Sequence, residues 1–204
     1  MQTLAVISFS ELMERGGIVM WPLLALSVIA VTLILERTWF YLSTNGPARG
    51  ERLYQLGKLL RAGKLDEARQ DAKRDRSIYG SAVTQLLDEA LSESSGVDAI
   101  EAQRGRLERF LPILSTVITA APMLGILGTV IGIIGAFNEL SGSRADLDLS
   151  DLGGDIGQAP ITTAAGITVA LLTLLPYNLF RAQADRSLSR LESLVAAALS
   201  GKKS

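Results

Sequence analysis

The chain has 204 residues, 48% of them hydrophobic, and a formal net charge of −1. That balance supplies no basic field for nucleic acid. With no Cys and no His there is no disulfide frame, no thiolate or imidazole metal site and no imidazole general base, so neither an enzyme nor a metal or cofactor is expected.

Residues 1–15 are a short N-terminal segment with Leu4, Ile7, Phe9 and Leu12 among Glu11, Glu14 and Arg15. An amphipathic helix at a membrane surface and a loosely ordered tail fit it equally. A first transmembrane helix is expected over 16–42. Its 20 residues from Gly16 to Leu35 carry no charge, enough to cross a bilayer. Trp21 near its start and Trp39, Phe40 and Tyr41 near its end suit the two interfaces. Pro22 falls in the first turns, where a missing N–H is tolerated. A signal peptide is the other reading of this run, but no basic segment precedes it.

Asn45-Gly46-Pro47 breaks the chain, and 43–110 reads as a soluble helical region. Leu53, Leu56, Leu59 and Leu60 recur at helical spacing, as do Val83, Leu86, Leu87 and Leu91. Gly63, Gly80 and Gly96 punctuate the region. Between the first two lies KLDEARQDAKRDR, a charged helix whose plain reading is a solvated face. No breaker separates a last helix from Leu111, so one continuous rod is predicted to run from about Val97 into the next span.

Leu111–Asn138 holds 28 consecutive residues without a charge. As a helix it would measure roughly 42 Å, more than a bilayer core requires. Its glycines would cost a soluble helix about 1 kcal/mol each. In a membrane they let helices approach closely, so Gly125, Gly128 and Gly132, with Gly166 on the third span, are expected at helix contacts. The second transmembrane helix is placed over 111–138, and an acidic loop over 139–157. That loop lacks the closing Glu of a twelve-residue calcium site. A third transmembrane helix follows over 158–180. Residues 181–204 continue it as an amphipathic extension, with Gly201 as its C-cap. The fold class is therefore all-α: a polytopic membrane protein with three transmembrane helices, two of them extended into the cytoplasm, and a helical cytoplasmic insertion.

Charge sets the orientation. Of 20 Lys and Arg residues, 13 lie in 36–110 and 5 follow Phe180, leaving Arg15 and Arg144. The positive-inside rule puts 43–110 and the C-terminus in the cytoplasm, and the N-terminus and the acidic loop outside.

The three charge-free runs supply no carboxylate of their own, so any titrating group in a proton path must come from a partner. What they offer is hydroxyls and small residues. Thr163, Gly166, Ala170, Thr173 and Tyr177 share one face, and Pro122, Gly125, Thr129, Gly132 and Ala136 another. These faces either pack together, with each Thr bonded back to its own helix, or line a shared space. Physics alone favours packing.

AAPMLGILGTVIGIIGAF and ITTAAGITVALLTLLPYNLF resemble the second and third membrane helices of the MotA/TolQ/ExbB proton-channel family. GGIVMWPLLALSVIAVTLILER resembles the first helix of ExbB-type members. The resemblance is specific over about 65 residues and general in the insertion. It implies an inner-membrane, multi-pass subunit, N-terminus periplasmic, forming a homo-oligomeric ring taken to be a pentamer. Inside the ring stand single-span ExbD-like subunits that carry the titrating Asp. Proton motive force then energises a periplasm-spanning TonB-like partner. Residue by residue, Thr129 and Thr163 are implied to face the lumen, with Thr162 and Gln158 also on the proton path. Gln158 stands where many members carry Glu and cannot titrate. Pro160 replaces a usual apolar residue and is expected to start or kink the helix. A TolQ-like or other family motor and a structural scaffold without conduction are the alternatives.

Overall fold

A computed structural model describes residue 13 and residues 16–44, 49–89, 91–142 and 149–202, the side chains of 139–159 excepted. Apart from residue 13, the expected N-terminal segment lies outside the described residues, as does the Asn45-Gly46-Pro47 break. A 3₁₀ turn at Gly17–Val19 leads into α1 (Met20–Thr44). There follow α2 (Arg49–Arg61), α3 (Leu65–Arg74), α4 (Ile78–Asp88) and α5 (Glu93–Leu107). Two long helices, α6 (Leu111–Gly142) and α7 (Leu149–Lys202), complete the chain, and the described residues include no strand. Gly17–Thr44, Leu111–Asn138 and Pro160–Lys202 are each long and apolar enough to cross a membrane, at mean hydropathies of 2.6, 2.2 and 1.5. The chain is an all-α membrane protein.

Two compact units share these helices. The first comprises residues through Ile34 with Ile113–Tyr177, and the second Leu35–Pro112 with Asn178–Ser204. In the second unit, Leu56, Leu60, Ile78, Tyr79, Val83 and Leu86 form a core with Leu188, Leu191 and Leu194. Burial of this apolar surface is the main drive to fold the short helices. The charged helix α3 buries only Ala68 and Ala72. Ser77 caps α4 by accepting from the Tyr79 and Gly80 amides, and Ser92 opens α5 with a reciprocal box involving Ser95.

Several expectations are corrected here. The predicted rod from Val97 into the second span is broken: α5 ends at Leu107, and Phe110 adopts a positive φ of 70° before α6 begins. No local breaker causes this. The last carbonyls of α5 are instead taken by side chains from α1. The Arg37 guanidinium donates to the Arg106 carbonyl at 3.1 Å, and the Tyr41 hydroxyl donates to the Leu107 carbonyl at 2.9 Å. Arg37 also lies over the Phe40 and Phe110 rings, while Tyr41 stacks on Phe180. The turn is thus fixed by two residues whose bonds span 69 and 66 positions in sequence.

Of the three punctuating glycines, only Gly63 lies in a turn, at φ 70° between α2 and α3. Gly80 and Gly96 lie inside helices, where contact rather than flexibility selects them. A Cβ at Gly80 would stand 2.0 Å from the Asp75 carbonyl oxygen, and one at Gly96 would stand 2.5 Å from Val195 Cγ1. Gly201 does not cap α7 but belongs to its last turn, where a Cβ would meet the Leu60 carbonyl oxygen at 2.0 Å. The described residues of the predicted loop over 139–157 are helical: α6 runs to Gly142 and α7 starts at Leu149. Leu149, Leu152 and Ile156 keep helical spacing through glycines that read as loop signals. Pro160 accordingly does not start a helix but lies within one.

Candidate functional site

Within the first unit, α6 and α7 run antiparallel and touch through their backbones. Ala121 faces Gly166, Gly125 faces Thr162 and Thr163, and Gly128 faces Thr162. A Cβ on Gly166 would stand 2.4 Å from the Ala121 carbonyl oxygen, and one on Gly125 would stand 2.8 Å from that of Thr162. Neither position has room for a side chain. Where lipid tails are as apolar as the helices, such close approach supplies the packing that water expulsion supplies elsewhere. On α1, Met20 and Leu23 close this contact in a cluster with Ala121 and Ala170.

One hydroxyl bridges the two helices. The Thr162 Oγ1 donates to the Gly125 carbonyl at 3.2 Å, and its residue is 2% exposed. The sequence reading put Thr162 on the pore wall; the structure buries it in the seam. The buried stripe of α7 is Thr162, Gly166, Ala170 and Thr173, and that of α6 includes Ala121, Gly125 and Gly128. The packed face of α7 therefore shares Gly166, Ala170 and Thr173 with the face that spacing suggested but takes Thr162 in place of Thr163, and that of α6 shares Gly125 but takes Ala121 and Gly128 in place of Pro122 and Thr129. The signal was present in the sequence: two adjacent threonines offer two faces, and spacing alone does not choose between them.

Thr129 and Thr163 stand beside this seam, each half-buried. The Thr129 hydroxyl donates back to the Ile126 carbonyl at 2.6 Å. Thr168 and Thr173 are bonded back in the same way, to Ala164 and Val169. A threonine so bonded has spent its proton, but its oxygen still accepts. Gly132 is exposed in the single chain. Residue 158 is helical, and the register of the pair brings it to the level of Thr129; the Gln158 side chain lies outside the described residues. Among the described residues no group of three acidic, His or Cys side chains is placed to hold a metal.

Comparison with known proteins gives this arrangement its context. Residues 70–193 match the model of the MotA/TolQ/ExbB proton channel family. A biopolymer transport protein designated ExbB-like 3, from a Synechocystis strain, is 35% identical over 175 residues, covering 81% of each chain. Biopolymer transport protein exbB1 of Vibrio cholerae is 27% identical over 192 residues, 91% of this chain and 84% of its own. The Tol-Pal system protein TolQ of Pseudomonas aeruginosa is 34% identical over 92 residues, 45% of this chain and 39% of its own. The match covers all of α6 and α7 as far as residue 193, and on it this chain belongs to the MotA/TolQ/ExbB proton channel family.

Proposed function

We propose that this chain is an ExbB-like subunit of a proton-driven motor in a bacterial inner membrane. Copies form a ring, five in the family's pattern, around single-span ExbD-like subunits, and proton flow energises a TonB-type periplasm-spanning protein. The observation that carries this reading is the pairing of hydroxyls with a complete absence of charge. α6 and α7 present the half-buried Thr129 and Thr163, and the charge-free runs of all three spans hold no Asp, Glu, Lys or Arg. Such a wall conducts nothing alone and suits an acid brought by another chain.

The wiring of Thr129 fits the neutral form of that acid. A protonated carboxyl is a donor, and a back-bonded threonine oxygen accepts. Thr129 and Thr163 line this lumen, with Gln158 at the same level as a non-titrating amide. Replacing Thr163 by Val is expected to leave the ring assembled and to abolish proton-driven work, while Thr163→Ser retains much of it. Full activity of Thr163→Val in proteoliposomes with its partner would remove the basis of the proposal. A TolQ-like role is the second reading, favoured by the TolQ match. A partner whose periplasmic domain engages Tol-Pal components would select it.

A further inference from the structure

The second unit holds a basic cavity that the proposed proton path does not use. It measures about 530 Å³ and is lined by Arg49, Arg52, Arg74, Arg76 and Arg106 with a single carboxylate, Asp75. Asp75 is already engaged: it accepts from Arg49 at 3.3 Å and from the Ser77 amide and hydroxyl at 2.9 and 2.8 Å. Arg106 donates to the Gln103 side-chain oxygen at 3.1 Å. Arg52, Arg74 and Arg76 form no ion pair with a carboxylate of the described residues. Five guanidinium groups thus converge on one space with one neutralising charge. Arg52, Arg74 and Arg76 are exposed, so they can reach an incoming anion, and guanidinium forks match phosphoryl oxygens bidentately.

The cavity's remaining wall locates it. Phe40, Ser43 and Thr44, the last turn of the apolar span Gly17–Thr44, line it on one side. Trp39 and Leu42, on the same turn, are strongly exposed, as an interfacial anchor is. The basic space therefore opens where the first span leaves the hydrocarbon, at the depth of lipid headgroups. The start of α4 adds its positive helix end through Ser77 and Ile78, which also line the cavity.

We infer that this cavity binds a phosphoryl group, and its depth favours the headgroup of an anionic phospholipid over a free phosphate. The inference needs α1 to span a membrane but does not depend on proton conduction. The test uses the full chain, with any co-purifying partner, in detergent. Native mass spectrometry counts bound phosphatidylglycerol against phosphatidylcholine, and a parallel titration uses inorganic phosphate. Arg52→Gln, Arg74→Gln and Arg76→Gln together are expected to weaken phosphatidylglycerol binding by about fivefold per arginine, from roughly 1 kcal/mol each near a membrane surface. A control with Lys58→Gln, Arg61→Gln and Lys64→Gln removes the same charge outside the cavity and is expected to bind as the parent does. Phosphatidylglycerol binding without phosphate binding assigns a lipid headgroup; binding of both, lost together in the arginine variant, assigns a general phosphoryl site. Binding of neither, or equal loss in the control, overturns the inference.

Discussion

Thr162 and Thr163 are neighbours with opposite assignments. Thr162 is bonded across the seam to the Gly125 carbonyl, and Thr163 is half-buried beside it. Thr162→Val removes one interhelical hydrogen bond, worth about 0.6 kcal/mol in a membrane bundle. It is expected to lower the melting temperature slightly and to leave proton-driven work intact, the reverse of Thr163→Val. Glycine separates the same two roles more sharply. Gly166→Ala drives a Cβ against the Ala121 carbonyl, a backbone atom that cannot swing aside. A cost of about 1–3 kcal/mol is expected, read as a fall in thermal stability of the purified chain. At Gly135 a Cβ meets nothing within 4 Å, so Gly135→Ala is expected to be neutral or slightly stabilising in the same assay. Equal losses at both positions would show that the α6–α7 contact is not the origin of the effect.

At the scale of elements, the break between α5 and α6 depends on Arg37. Its guanidinium is 2% exposed, bonds the Arg106 carbonyl and covers two aromatic rings. Lysine keeps the charge but not the planar fork or the stacking. Arg37→Lys is therefore expected to destabilise the second unit by about 2 kcal/mol, the scale of a lost charge-assisted bond. Hydrogen exchange of the Glu108 and Leu111 amides, which close the turn, should speed up with it. The three spans were legible in sequence because length and charge exclusion are local properties. The break at Phe110 was not, because the groups that enforce it come from α1. The helical start of α7 was hidden for a related reason: Gly153, Gly154 and Gly157 lower local propensity, but a weak propensity is overridden where a helix continues for many turns. Gly80 and Gly96 misled in the same direction, since a glycine selected for contact looks in sequence like one selected for a turn.

At the scale of the whole molecule, only 22% of the most apolar stretch in each span is buried within the chain. Exposed Ile126, Val130, Ile133, Ile134, Leu171 and Leu175 leave wide apolar surfaces on α6 and α7. In a membrane such surface faces lipid or other helices. The sequence constrains the orientation of the surface through its charges. Eighteen of 20 basic residues lie in 36–110 or after Phe180, and translocating them would oppose the positive-inside bias. The chain has no native Cys, so one introduced thiol is an unambiguous reporter. Ser143→Cys is expected to react with a membrane-impermeant maleimide in intact spheroplasts. Ser94→Cys, exposed near the start of α5, is expected to react only after permeabilisation. The opposite pattern would invert the topology. It would also put the basic cavity on the outer side. Labelling of both thiols from outside would require an even number of crossings between them, which α6 alone cannot provide.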